Sequence, residues 1–134
     1  MKTKLKVFLI DDDRFILKIV TKLFDNYEID VSCFSCPEAA LSAMEKVTPD
    51  LVFLDYNMPD MNGDEVIIKV SEKKLFNNTN LYLLTGSSFT QEDVIKFKTL
   101  GFYDVIEKPM KISKLEEIFN FHFGNIPHKQ AKSA

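Results

Sequence analysis

The chain has 134 residues of even composition, 46% of them hydrophobic and 12 of them Phe, which suits one domain with a real core. The net charge is −3 and Arg14 is the only arginine, which argues against direct DNA or RNA binding, since such a face needs basic residues with Arg to reach phosphates and bases. No apolar run approaches a membrane span, and the run Val7–Ile10 behind Lys2, Lys4 and Lys6 is too short for a signal peptide, so a cytoplasmic protein is expected.

Lys4–Ile10 reads as a strand buried on both faces, because its apolar residues do not alternate with polar ones. It runs straight into Asp11, Asp12 and Asp13. Asp13 fits a helix N-cap, and Ile16, Ile19, Val20 and Leu23 then make one apolar helical face. Asp30–Ser35 is a short second strand. Cys33 and Cys36 form CFSC; one such pair cannot supply four zinc ligands, so two reduced thiols are the ordinary reading. Cys36 would sit near a helix N-terminus, which leaves a redox role as the lesser alternative. Pro37 opens the second helix, with Ala40, Leu41, Met44 and Val47 on one face.

Leu51–Leu54 is the third strand, followed by the turn-rich loop DYNMPDMNG. A helix from Asp64 to about Lys74 carries Val66, Ile67 and Val70. Leu81–Leu84 is the fourth strand and TGSS leaves it as a loop. Gln91–Leu100 is helical, with Val94 and Phe97 inward and Gly101 as its cap. Phe102–Ile106 is the fifth strand, broken by EKPM, and Ile112, Leu115, Ile118 and Phe119 mark a last helix. Apolar strands alternating with amphipathic helices imply an α/β fold with a parallel sheet covered on both faces, and function beyond the C-terminal strand ends.

Polar residues gather at those ends. Asp11 and Asp12 follow the first strand, Asp55 the third, Thr85 the fourth, and Lys108 the fifth, just before Pro109. If the strands carrying Asp11, Asp55 and Thr85 are neighbours, these side chains share one rim. Carboxylates in one pocket repel, and a hard divalent cation with oxygen ligands such as Mg2+ removes the conflict. A cation, a Lys and a hydroxyl together match the oxygens of a phosphoryl group, and Asp55 is the natural nucleophile, since carboxylates do form aspartyl phosphates. Singly, each residue has a plainer role: helix cap for Asp11–Asp13, loop acid for Asp55, turn hydroxyl for Thr85, solvated charge for Lys108. Together and in this order they are a far more specific signal.

The motifs FLIDDD, DLVFLDYNMPDMNG, LYLLTGSS and YDVIEKP make the chain, from about Lys4 to Phe121, resemble the receiver domains of two-component response regulators. The resemblance implies a flavodoxin-like, doubly wound five-stranded sheet of order 2-1-3-4-5, a receiver domain over residues 1–123 and a flexible tail over 124–134. It implies that Asp55 is the phosphoacceptor. Asp11, Asp12, Asp55 and the main-chain carbonyl of Asn57 would bind Mg2+, with Mn2+ as a substitute. Thr85 and Lys108 would hold the phosphoryl group, the bond to Pro109 would be cis, and Asn57 and Ser87 would tune the lifetime of the phosphoaspartate. Gly86 would leave room for phosphoryl donors.

The implied partners are a sensor histidine kinase or histidine phosphotransfer domain, and a downstream protein or second copy at the fourth helix, fifth strand and fifth helix. The family often has an aromatic residue three positions before the Lys; here that position is Val105, which puts an aromatic-flip switch in question. No output domain follows residue 123, which leaves a stand-alone receiver acting by contact or a piece of something longer. Phe119, Phe121 and Phe123 are too close together all to face the core, so either an exposed Phe marks a partner surface or two pack under the tail. His122 and His128 read as surface residues.

A rival is a Mg2+-dependent aspartyl-phosphate phosphatase of the haloacid-dehalogenase kind, since IDDD contains a DxD at a strand end. The chain is too short for its cap domain, and Glu116 and Glu117 fall in a helix rather than at a strand end. A plain flavodoxin-like binding module would leave the carboxylates unexplained.

Overall fold

The computed structural model describes residues 5–25, 28–56, 58, 63–72, 79–86 and 89–124. Its elements alternate along the chain: β1 (Leu5–Ile10), α1 (Arg14–Phe24), β2 (Ile29–Phe34), α2 (Pro37–Met44), β3 (Leu51–Asp55), α3 (Gly63–Glu72), β4 (Asn80–Thr85), α4 (Gln91–Leu100), β5 (Asp104–Glu107) and α5 (Ile112–Phe123). The strands form one sheet of order β2-β1-β3-β4-β5, with every pairing parallel.

The unbroken apolar strands follow from burial on both faces. On one face Phe8, Ile10, Val52, Leu54, Leu81 and Leu83 pack with Ala40, Leu41 and Met44 of α2, Val66 and Ile67 of α3 and Phe97 of α4. On the other, Val7, Leu9, Leu51, Phe53, Tyr82 and Leu84 pack with Leu115, Ile118 and Phe119 of α5, and Leu17 of α1 is half-buried against them.

Local chemistry sets the helix ends. Asp13 Oδ1 accepts the Phe15 amide at 2.9 Å, satisfying one free donor of the first turn of α1. Thr90 and Asp93 form a reciprocal capping box on α4, and Gly101, at φ 126°, ends that helix in a conformation that side chains rarely adopt.

Several expectations shift. Val47 lies beyond the end of α2 in a turn and is 39% exposed, because the helix closes at Met44. Phe102 is buried but precedes β5: its amide bonds back to the Phe97 carbonyl at 3.1 Å, completing the end of α4 instead of pairing with β4. His122 is half-buried and shares a 2.5 Å hydrogen bond with the Tyr82 hydroxyl, so it is part of the packing of α5. Phe119 is buried, Phe123 packs partly against the second core cluster and Phe121 is 69% exposed. The proposed tail past Gly124, His128, Lys4 and the stretch after Glu72 lie outside the described residues, as do the side chains of Ile16, Ile19, Val20, Leu23, Val70 and Ile112.

Candidate functional site

β1 pairs with β2 on one side and β3 on the other, so the chain reverses its direction of winding between β1 and β3. Loops leaving two such strands part in opposite directions and open a crevice at their C-terminal ends. Asp11 follows β1 and Asp55 ends β3 at this point. Asp11 is fully buried, and Asp55 and Thr85 are nearly so.

Each residue is fixed by its backbone. The Asp11 amide donates to the Phe34 carbonyl at 3.0 Å, and Asp11 Oδ1 accepts the Asp13 amide at 2.9 Å. The Tyr56 amide, just past Asp55, donates to the Leu84 carbonyl at 2.8 Å. The Lys108 amide donates to the Thr85 carbonyl at 2.7 Å, which ties the end of β5 to the end of β4. The Lys108–Pro109 peptide bond is cis.

The side chains meet above these anchors. Lys108 Nζ donates to Asp11 Oδ2 at 2.9 Å and lies 3.2 Å from Asp55 Oδ1. Burial alone would lower the Lys108 pKa, but its hydrogen bonds and charge attraction to Asp11 and Asp55 outweigh that and raise it. Asp12 adds a third carboxylate from the exposed side, and one oxygen of each of Asp11, Asp12 and Asp55 lies within 4.8 Å of the others. Three carboxylates and one ammonium leave a formal charge of −2, which one divalent cation would cancel. All-oxygen donors suit a hard ion, so these residues fit Mg2+ by charge and by ligand type.

The structure thus brings together Asp11, Asp12, Asp55 and Lys108, with Thr85 held by backbone to Lys108. Asn57 and Ser87 lie outside the described residues. Gly86 is exposed, and a Cβ added there would meet nothing within 4 Å, so the approach beside Thr85 is open. Glu116 and Glu117 are exposed on α5. Tyr56 and Phe89 were passed over in the sequence, yet their rings meet beside the site at 5.3 Å. Their signal was present: one aromatic directly follows Asp55, and the other follows Thr85 within the same loop.

Comparison with known proteins points the same way. Residues 7–120 match the family described as response regulator receiver domain. A protein-glutamate methylesterase/protein-glutamine glutaminase from Bacillus licheniformis is 33% identical over 110 residues, covering 78% of this chain and 29% of that protein. The transcription factor SKN7 of Saccharomyces cerevisiae is 30% identical over 112 residues, covering 84% and 18%. Hybrid signal transduction histidine kinase C of Dictyostelium discoideum is 28% identical over 118 residues, covering 84% and 10%. This chain therefore spans a minor part of each of these relatives. Among solved structures, the Vibrio cholerae chemotaxis protein CheY4 superposes with a TM-score of 0.81 at 23% identity, covering 90% of this chain and all of that one. A CheY from Borrelia burgdorferi, solved with CheX, BeF3 and Mg2+, gives 0.78 at 21% identity, covering 89% and 90%.

Proposed function

The chain belongs to the response regulator receiver domain family, a family of two-component signalling, and on that premise we propose that Asp55 accepts a phosphoryl group from a phosphohistidine. The observation that carries this is the Lys108 ammonium poised between Asp11 and Asp55 at the crevice between β1 and β3. The donor is a sensor histidine kinase or a histidine phosphotransfer domain.

In the transfer, an Asp55 carboxylate oxygen attacks phosphorus in line, the P–N bond breaks and the P–O bond forms. The imidazole keeps the electron pair of the broken bond. Asp11, Asp12, Asp55 and the Asn57 carbonyl would hold Mg2+, or Mn2+, which supplies charge neutralisation at the phosphoryl oxygens. Lys108 follows the charge: its ammonium leaves the Asp55 carboxylate for a phosphoryl oxygen and keeps its partner Asp11. The Thr85 hydroxyl donates to a second phosphoryl oxygen. Hydrolysis is a second displacement: water attacks phosphorus and gives up a proton, the bond from phosphorus to the Asp55 oxygen breaks, and the Asp55 carboxylate and inorganic phosphate are returned, at a rate that Asn57 and Ser87 tune. The protein is a signalling phosphoacceptor that catalyses both steps on itself.

The phosphorylated form then favours one of two arrangements of the loops after β4 and β5. The reading surface is α4, β5 and α5, where Ile95, Tyr103 and Phe121 are exposed, and its occupant is a downstream protein or a second copy. The domain occupies residues 1–123, in a cytoplasmic setting; among the described residues no helix is long and apolar enough to cross a membrane. Phosphoramidate, whose P–N bond mimics phosphohistidine, tests the chemistry: it should label the wild type in Mg2+ and lose that ability in EDTA. Labelling that is indifferent to EDTA would contradict the reading.

A further inference from the structure

Val105 is half-buried three residues before Lys108 and packs against the first core cluster, as do Tyr56 and Phe89. Tyr56, next to Asp55, sets its ring edge-on to Phe89 at 5.3 Å and 81°, and to Phe97 of α4 at 5.5 Å and 66°. Phe89 meets Phe97 at 4.9 Å and 64°. The three rings therefore touch pairwise. They come from three segments: the residue after Asp55, the loop that leaves Thr85, and α4. Phe97 carries the contact on to Phe102, 6.2 Å away at 87°, at the turn into β5.

Phe89 immediately precedes Thr90, the cap of α4, whose side chain and backbone are locked to Asp93. Edge-to-face pairs are favourable beyond the area they bury, so moving the Phe89 ring gives up two of them at once. The Tyr56 amide is bonded to the Leu84 carbonyl at 2.8 Å, directly before Thr85, so the ring that Phe89 touches belongs to a residue tied to that strand end, while Phe89 itself adjoins the cap of α4. We propose that Phe89 is a positioning residue: its ring, seated between Tyr56 and Phe97, couples the position of Thr85 to that of α4. The inference rests on the reading of Asp55 as phosphoacceptor.

The test is amide hydrogen exchange of residues 91–100 in the full chain, with and without beryllofluoride and Mg2+, alongside intact-mass labelling by acetyl phosphate. The wild type should label and should change its exchange in α4. Phe89→Ala should still label but lose the α4 response, and Phe89→Tyr, which keeps the ring, should restore it. Should Phe89→Ala not fold, Tyr56→Leu breaks the same contact from the other side and should likewise label without an α4 response. A variant without the ring contact that keeps the full α4 response overturns the proposal, as does a wild type that labels but shows no response in α4. A wild type that does not label overturns the phosphoacceptor reading, and this inference with it.

Discussion

Lys108 decides the electrostatics of the site. Its ammonium lies within 3.2 Å of two buried carboxylates while its side chain keeps 23% exposure. Removing one partner of a buried pair costs about 3–5 kcal/mol, and partial exposure places Lys108→Ala at the lower end. The loss should be largest without metal, because a bound divalent cation takes over the neutralisation of Asp11 and Asp55. Thermal melts in EDTA and in Mg2+ check this: the variant should be destabilised in EDTA and gain more from Mg2+ than the wild type gains. Equal gains would mean that the ammonium and the metal do not compete for these oxygens. The pH dependence has a definite sign. The folded pKa of Lys108 is raised above its ordinary 10.5, so its contribution is complete below that value and is lost as pH rises through the folded one. The stability difference between wild type and Lys108→Ala should therefore hold steady from neutral pH to about 10 and close above it.

α5 is docked by Leu115, Ile118 and Phe119, all buried, and by the polar contact of Tyr82 with His122. Leu115→Ala should lower stability by ~2–5 kcal/mol, read as a shift of the urea midpoint with little change in slope. Burial pushes the Tyr82 hydroxyl well above its ordinary range and also lowers the His122 pKa, so the two meet as neutral groups. A depressed His pKa contributes stability that is full above 6.5 and is lost as pH falls below it towards the folded value. His122→Gln should flatten that part of the wild-type curve; an unchanged slope would place the titration elsewhere. This contact joins residues 40 apart in sequence, and no spacing announces it. The strands were readable because Val7–Ile10 and Leu51–Leu54 are apolar throughout, and α2 because Pro37 starts it. Its end was not, since Val47 continues the apolar period past the point where the chain turns. Phe102 misled in the same way: a large aromatic before Asp104 looks like strand, yet it completes α4.

At the scale of the molecule, the parallel sheet followed from five alternations of apolar strand and amphipathic helix. Its strand order did not follow from the pattern alone and rested on resemblance, because hydrophobic periodicity reports faces and not neighbours. Asp11, Asp55 and Lys108 were legible as a set because each follows a strand. Their joint geometry, with one ammonium spanning two acids, needed the fold to bring Lys108 within reach of Asp11 across 97 positions of sequence. The central claim is that this fold makes Asp55 a metal-dependent phosphoacceptor. Intact mass after incubation with acetyl phosphate, with and without Mg2+, for wild type and Asp55→Asn, tests it most directly. The account predicts one added phosphoryl group on the wild type that requires Mg2+ and is absent from Asp55→Asn. A phosphoryl group that persists in Asp55→Asn, or steady phosphate release that depends on Asp11 and not on Asp55, would contradict it.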